Sequence, residues 1–276
     1  ANAIFSAFLD DFSAKQIDDS IQGAYYSGKF EEQEPVVLEK VKDRYFLELF
    51  HGPTCAFKDM ALTILPYLMV ESMKNVNNQQ KIMILTATSG DTGKAALEGF
   101  ANVPDISIIV FYPKDGVSTV QEKQMLTQIG ANTCVVGIDG NFDDTQNGVK
   151  LILNDPQLAA ELAKANVIFS SANSINIGRL LPQVVYYFYS YYELLNRGEI
   201  QRDEKINFVV PTGNFGNILA GYYASLLGLP INKLICASNA NKVLTDFFKT
   251  GHYDRNRDFY KTSSPSMDIL ISSNLE

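Results

Sequence analysis

With 276 residues, 46% of them apolar and 20% charged, the chain suits one large or two ordinary domains around a real core, which excludes global disorder. A formal net charge of −8 argues against nucleic acid and anionic membrane as partners, although backbone amides or a single Arg can still hold an anion locally. Three dispersed cysteines (Cys55, Cys134, Cys236) and two isolated histidines (His51, His252) form neither a metal-ligand spacing nor a disulfide framework, so no metal is expected and the thiols read as reduced in a cytosol-like compartment.

The chain starts Ala-Asn-Ala-Ile-Phe, without Met and without the basic start of a signal peptide, and reads as a processed or excised piece. The first predicted strand is 45–50, followed by a helix over 58–74. Strand 82–88, helix 92–101, strand 106–112, helix 119–129 and strand 133–138 come next. Helices 142–153 and 157–165 precede strand 167–170, and the long helix 177–196 precedes strand 206–210. Helix 216–227 and strand 234–237 complete the pattern. Most of these strands are continuous apolar runs, as in sheets covered on both faces. Their alternation with helices predicts an α/β fold with parallel sheets and right-handed crossovers. Ligands of such folds collect beyond the carboxyl ends of the strands, which points to the loops after 50, 88, 170 and 210. The apolar run 177–195 contains Arg179, Pro182, Gln183 and Glu193, and so fails as a membrane span of about 20 residues. Its aromatic stretch 186–192 reads as core or subunit interface.

Four segments at these loops carry chemistry. The first, His51-Gly-Pro-Thr-Cys-Ala-Phe-Lys-Asp59, breaks a strand at Gly52 and Pro53 and sets Lys58 at the start of an apolar helix. A helix N-terminus and a dry setting both disfavour the charged form of lysine, and a neutral amine is what Schiff-base chemistry needs. Spacing alone favours a partly exposed lysine that merely opens a helix, whose loss should cost little stability. The second segment, Thr86-Ala-Thr-Ser-Gly-Asp-Thr-Gly93, converges small residues on a helix start, as an anion site or a tight turn does. It lacks the Walker A pattern, having Thr88 and Ala95 at the decisive places. The third, Pro211-Thr-Gly-Asn-Phe-Gly-Asn217, fits a phosphate cradle, with Gly213 and Gly216 expected to allow close approach and a positive φ. The fourth, Ser170-Ser-Ala-Asn-Ser-Ile-Asn-Ile-Gly-Arg179, gathers hydroxyls and amides before a helix whose first turns carry Arg179, a residue suited to phosphate or carboxylate. One amine and three anion-binding loops together suit a small molecule with several anionic groups.

These segments resemble those of the threonine synthases in motif, order and approximate spacing, from about residue 45 to the 264–269 stretch. The resemblance implies pyridoxal 5′-phosphate (PLP) as cofactor and the two-domain architecture of tryptophan synthase β-subunits, the fold type II PLP enzymes. It sets the smaller α/β domain at 80–173 and the larger PLP-binding domain at 1–79 with 174–276. It implies conversion of O-phospho-L-homoserine and water to L-threonine and phosphate, with Lys58 as catalytic residue and Schiff-base partner. Cofactor contacts are then expected from Lys58, Phe57, Asp91, Gly213, Asn214, Phe215, Gly216 and Asn217. Many relatives of this fold carry Asn where Asp91 stands. Substrate contacts are expected from Ser89, Thr92, Asn173, Ser174 and Arg179. A cytoplasmic homodimer is a further expectation.

Family members extend beyond both ends of this chain. A hydroxyl or thiol facing the pyridine nitrogen is expected beyond residue 276, which makes the chain as given a poor catalyst. The rival readings are another PLP-dependent lyase, such as a threonine dehydratase, and a non-catalytic fragment. A dehydratase has no substrate phosphate for Arg179 to bind.

Overall fold

The computed structural model describes residues 1–31, 34–174 and 176–272, and their packing forms two units. One comprises Ala1–Val37 and Glu48–Arg179; the other comprises Leu38–Leu47 and Leu180–Glu276.

The first unit opens with helices α1 (Asn2–Phe8) and α2 (Ala14–Tyr25), neither of which the sequence reading assigned. The signal for α2 was nonetheless present. Ser13 and Gln16 form a capping box, and Ile17, Ile21, Ala24 and Tyr25 make a buried helical stripe. Strands β1 (Val37–Val41) and β2 (Arg44–Glu48) pair across a turn at Lys42, whose φ is 58°, and lie mostly in the second unit.

The single helix expected over 58–74 is two helices, α3 (Asp59–Leu62) and α4 (Leu65–Asn75). Pro66 explains the break. In a continuous helix its ring would press on the carbonyl of Leu62, whereas in the first turn of α4 its missing N–H costs nothing.

Four parallel strands follow, β3 (Lys81–Ala87), β4 (Ile106–Pro113), β5 (Thr133–Ile138) and β6 (Val167–Ser171). Helices α5 (Asp91–Phe100), α6 (Thr119–Leu126), α7 (Phe142–Leu153) and α8 (Pro156–Lys164) connect them. The sheet order is β5-β4-β3-β6. Alternate residues of the central strands serve opposite faces: Ile82, Ile84, Ile106 and Ile108 join α5 through Leu97 and Phe100, while Leu85 and Ala87 pack with Val149 of α7. Helices α3 and α4 also pack on α5, which is what draws residues 48–79 into the same unit as the sheet.

Gly99 is where α5 meets α3 most closely, since a Cβ there would overlap the carbonyl oxygen of Leu62. Gly99→Ala is therefore expected to destabilise the protein by about 1–3 kcal/mol through overpacking. The readout is a lower urea midpoint at unchanged slope; an unmoved midpoint would show that α3 shifts without cost.

The second unit contains most of α9 (Ile177–Asn196), then β7 (Ile206–Pro211), α10 (Gly216–Leu226), β8 (Ile231–Ala237) and α11 (Val243–Thr250). β7 and β8 are parallel, with α10 as their crossover. The sequence reading missed β1 and α11, although Val243, Leu244, Phe247 and Phe248 have helical spacing. Among the described residues no helix is long and apolar enough to cross a membrane.

Candidate active site

The order β5-β4-β3-β6 makes the junction of β3 with β6 a switch point. The chain leaves β3 toward β4 on one side, and β6 lies on the other, the strand order at whose carboxyl edge ligands of open parallel sheets collect. Three ionisable side chains of the first unit, Lys58, Asp91 and Arg179, are buried and coupled electrostatically, and two of them stand on the segments after these strands.

Lys58 is delivered by a loop that folds around Asp59. The Asp59 carboxylate is 1% exposed and accepts from Thr54 N at 2.9 Å and from Thr54 Oγ1 at 2.6 Å. Burial pushes its pKa up, against the pull of the Thr54 donors. Gly52 is obligatory here, because a Cβ would stand 2.6 Å from the Asp59 side chain. Cys55 turns the chain at φ 55°, and Lys58 caps α3 with helical dihedrals. From α2, Tyr25 donates to Met60 O at 2.5 Å and pins the start of α3.

The expectation of a partly exposed lysine is corrected: Lys58 is 8% exposed, and its Nζ donates to Asp91 Oδ2 at 2.5 Å. The same ammonium lies 5.2 Å from the centroid of the Phe57 ring. Burial lowers the Lys58 pKa; the Asp91 carboxylate opposes that shift and the charge of Arg179 adds to it. Asp91 opens α5, and its Oδ1 accepts from Thr92 N at 2.8 Å. Arg179 is 3% exposed, and burial brings its guanidinium down to about 10 against the pull of Asp91. Its Nη1 donates to Ala172 O at 2.6 Å. With all three ionised, the cluster carries two buried cations against one buried carboxylate.

Some amides that the sequence reading offered to an anion are used inside the loop. Thr88 Oγ1 accepts from Gly90 N at 2.9 Å and from Gly93 N at 2.8 Å. Gly90 sits at φ 138°, where a side chain would also strike Gln121. Ser89 and Thr92 are half-buried, with no side-chain hydrogen bond among the described residues. Asn173 is committed to structure: its Nδ2 donates to Ala87 O at 2.9 Å and its Oδ1 accepts from Ala87 N at 3.3 Å, extending the pairing of β3 past the end of β6. Ser174 is half-buried on the same segment.

In the second unit, Gly213 is packed rather than open, since a Cβ would meet Ile269 Cγ1 at 2.6 Å. The positive φ expected of Gly213 or Gly216 falls instead on Phe215, at 68°, the residue that caps α10. Left-handed geometry there turns the loop into the helix so that Gly216 and Asn217 open its first turn. Asn214 is half-buried beside them. Asn217 accepts from Tyr186 and Tyr187, at its side-chain oxygen from both and at its carbonyl from Tyr187. Sequence reasoning missed Thr54, Asp59, Thr88 and the two tyrosines as supports. Thr54, Asp59 and Thr88 were visible as polar residues inside otherwise apolar junctions, whereas the tyrosines needed the fold.

The pyridoxal-phosphate dependent enzyme family matches residues 38–274. Human threonine synthase-like 1 is 44% identical over 273 residues, which are 96% of this chain and 36% of that protein. A PLP-bound threonine synthase from Brucella melitensis superposes with a TM-score of 0.82 at 40% identity, over 99% of this chain and 57% of the other. Threonine synthase from yeast gives 0.84 at 38% identity, over 99% and 54%. The chain thus spans between about a third and somewhat more than half the length of these relatives.

Proposed function

The chain belongs to the pyridoxal-phosphate-dependent enzymes, and on that premise we propose that it is the part of a threonine synthase that carries the cofactor lysine, converting O-phospho-L-homoserine and water to L-threonine and phosphate. The observation that carries this reading is the buried Lys58 amine, paired with Asp91 beside a buried Arg179 at the switch point of the sheet. The lowered proton affinity of the buried amine and the buried guanidinium of Arg179 coupled to it fit an anionic aldehyde such as PLP.

When bound, PLP supplies the electron sink. Lys58 Nζ would hold it and would then carry protons to and from the α and β carbons of the substrate. Asp91 would hold that amine in place and face the cofactor hydroxyl, with Phe57 packing near the ring. Gly213, Asn214, Phe215, Gly216 and Asn217 would hold the cofactor phosphate at the start of α10. Ser89 and Thr92 would take the substrate carboxylate; Ser174 and Arg179 would take its phosphate, with Asn173 fixing the loop edge. We also propose that 80–173, which carry the whole four-stranded sheet, form the smaller domain, and that the protein works in the cytoplasm as a homodimer.

Arg179 favours this reaction over that of a threonine dehydratase, whose substrate has no phosphate. The test compares phosphate release from phosphohomoserine with deamination of threonine. Turnover of threonine alone would replace this reading with the dehydratase one.

A pH profile tests the amine. Because the Lys58 pKa is lowered, the neutral form persists to lower pH than in free lysine, and it is lost as pH falls through the lowered value. PLP capture, followed by visible absorbance, is expected to rise with pH through a midpoint below that of free lysine. Asp91→Asn should move the midpoint lower still, since the Asp91 carboxylate raises it. A midpoint at or above that of free lysine would remove Lys58 as a primed amine.

A further inference from the structure

Helix α9 carries the tyrosine-rich stretch that composition assigned to packing, yet two of its phenols are aimed at one residue of the 211–217 loop. Tyr186 Oη lies 2.5 Å from Asn217 Oδ1, and Tyr187 Oη lies 2.9 Å from Asn217 O and 3.0 Å from Oδ1. Both tyrosines are 2% exposed. Burial raises both phenol pKa values, so each keeps its one proton to donate. Tyr186 has Gln183 Oε1 as a second acceptor at 3.1 Å, but the shorter contact is to Asn217.

Tyr187 is locked in this pose from two sides. Its ring packs edge-on against Phe208 at 4.9 Å, and Gly221 of α10 leaves it room, since a Cβ there would stand 2.8 Å from its Cε1. With Oδ1 capped by Tyr186 and by the longer arm of a proton that Tyr187 shares with the Asn217 carbonyl, the Asn217 carboxamide is turned so that Nδ2 is its other end. That group makes no hydrogen bond among the described residues. A carboxamide held by its oxygen at a helix start keeps its N–H groups for another acceptor, and an anion is the ligand a helix start favours.

We propose that Tyr186 and Tyr187 are positioning residues that hold the Asn217 carboxamide as an anion donor, so that the tyrosine-rich helix tunes the grip on the cofactor phosphate. This inference rests on the reading of 213–217 as the phosphate loop. The clamp pre-orients a donor that would otherwise rotate freely, and rigid donors bind with less loss of entropy.

The experiment measures PLP affinity by absorbance titration and the 31P resonance of the bound cofactor phosphate, together with melting temperature. Variants are Tyr186→Phe, Tyr187→Phe, Asn217→Ala and Tyr186→Phe/Asn217→Ala. Tyr191→Phe is the control: its hydroxyl is buried on the same helix without a hydrogen bond among the described residues. Each of the first two should weaken PLP binding about three- to tenfold and shift the 31P signal, and Asn217→Ala should weaken it at least about tenfold. The double variant should be no weaker than Asn217→Ala, because the phenol acts only through that residue. Tyr191→Phe should change neither readout. If Asn217→Ala weakens binding while both Phe variants match the parent, the clamp is overturned and the phosphate loop stands. If Asn217→Ala itself leaves affinity unchanged, its carboxamide donates nothing to the phosphate and the clamp is overturned, while the backbone amides of the loop remain as the phosphate's partners. Equal weakening by Tyr191→Phe would mark a general loosening of the helix and would also overturn the proposal.

Discussion

Lys58→Ala is expected to abolish covalent capture of PLP and to destabilise the protein by about 3–5 kcal/mol, the scale seen when one partner of a buried ion pair is removed. A surface lysine at a helix start would cost a fraction of that. The difference arises because Lys58 is 8% exposed, Asp91 is 5% exposed, and the two are joined at 2.5 Å. No neighbouring lysine can stand in. Lys94 Nζ is engaged by Glu98 at 3.0 Å and by Gln128, and Lys74 pairs with Glu71 in an exposed position. Borohydride reduction followed by peptide mapping should label the peptide containing Lys58 in the parent and no peptide in the variant. The loss of stability should shrink when Asp91→Asn is added, since the stranded carboxylate is then gone, while labelling stays absent. Label on a different lysine would end the assignment. A stability change below about 1 kcal/mol would show that the pair contributes nothing net to folding.

This expectation also marks where sequence reading stops. Strands β3 to β6 were legible because their apolar runs are bounded by Gly, Asn and Ser clusters, and the parallel order followed from the helices between them. Lys58, Asp91 and Arg179 were legible as candidates because each sits beside a strand end in a motif. Their burial, the Lys58–Asp91 contact and the electrostatic coupling to Arg179 were not, since these residues stand 33 and 88 positions apart in the sequence (Lys58 to Asp91, and Asp91 to Arg179) and are brought together only by the fold. The same limit hid Asn173, whose carboxamide looks like a ligand donor in sequence but completes the pairing of Ala87. Tyr186 and Tyr187 show it from the other side. Helical spacing assigned them to packing, correctly as to burial, but no pattern in sequence says that two hydroxyls converge on Asn217. Pro66 was a local signal that went unused, although its clash with a continuous helix needs no tertiary information.

The other large effect belongs to Arg179. If it grips the substrate phosphate, Arg179→Leu should lower kcat/KM for phosphohomoserine by about thirty- to several-thousandfold, the range for losing a charge-assisted pair of about 2–5 kcal/mol in a dry site. PLP affinity should stay within about threefold, because leucine keeps the apolar stem and Lys58 still supplies the amine. A structural account competes with this. Nη1 donates to Ala172 O at 2.6 Å, so leucine also strands a carbonyl on the segment after β6, at a cost of about 1–3 kcal/mol. Two further readouts separate the accounts. Arg179→Lys retains a charge but has one point donor in place of a fork, so it should recover part of the turnover and little of the Ala172 contact. Inorganic phosphate should inhibit the parent competitively and lose that inhibition in Arg179→Leu, without any matching change for a carboxylate inhibitor. Melting temperatures falling in step with kcat/KM across both variants, with phosphate inhibition intact, would make Arg179 a structural residue. PLP affinity falling as far as turnover would instead move the guanidinium to the cofactor phosphate, and the substrate phosphate would need another partner on the segment that carries Asn173 and Ser174.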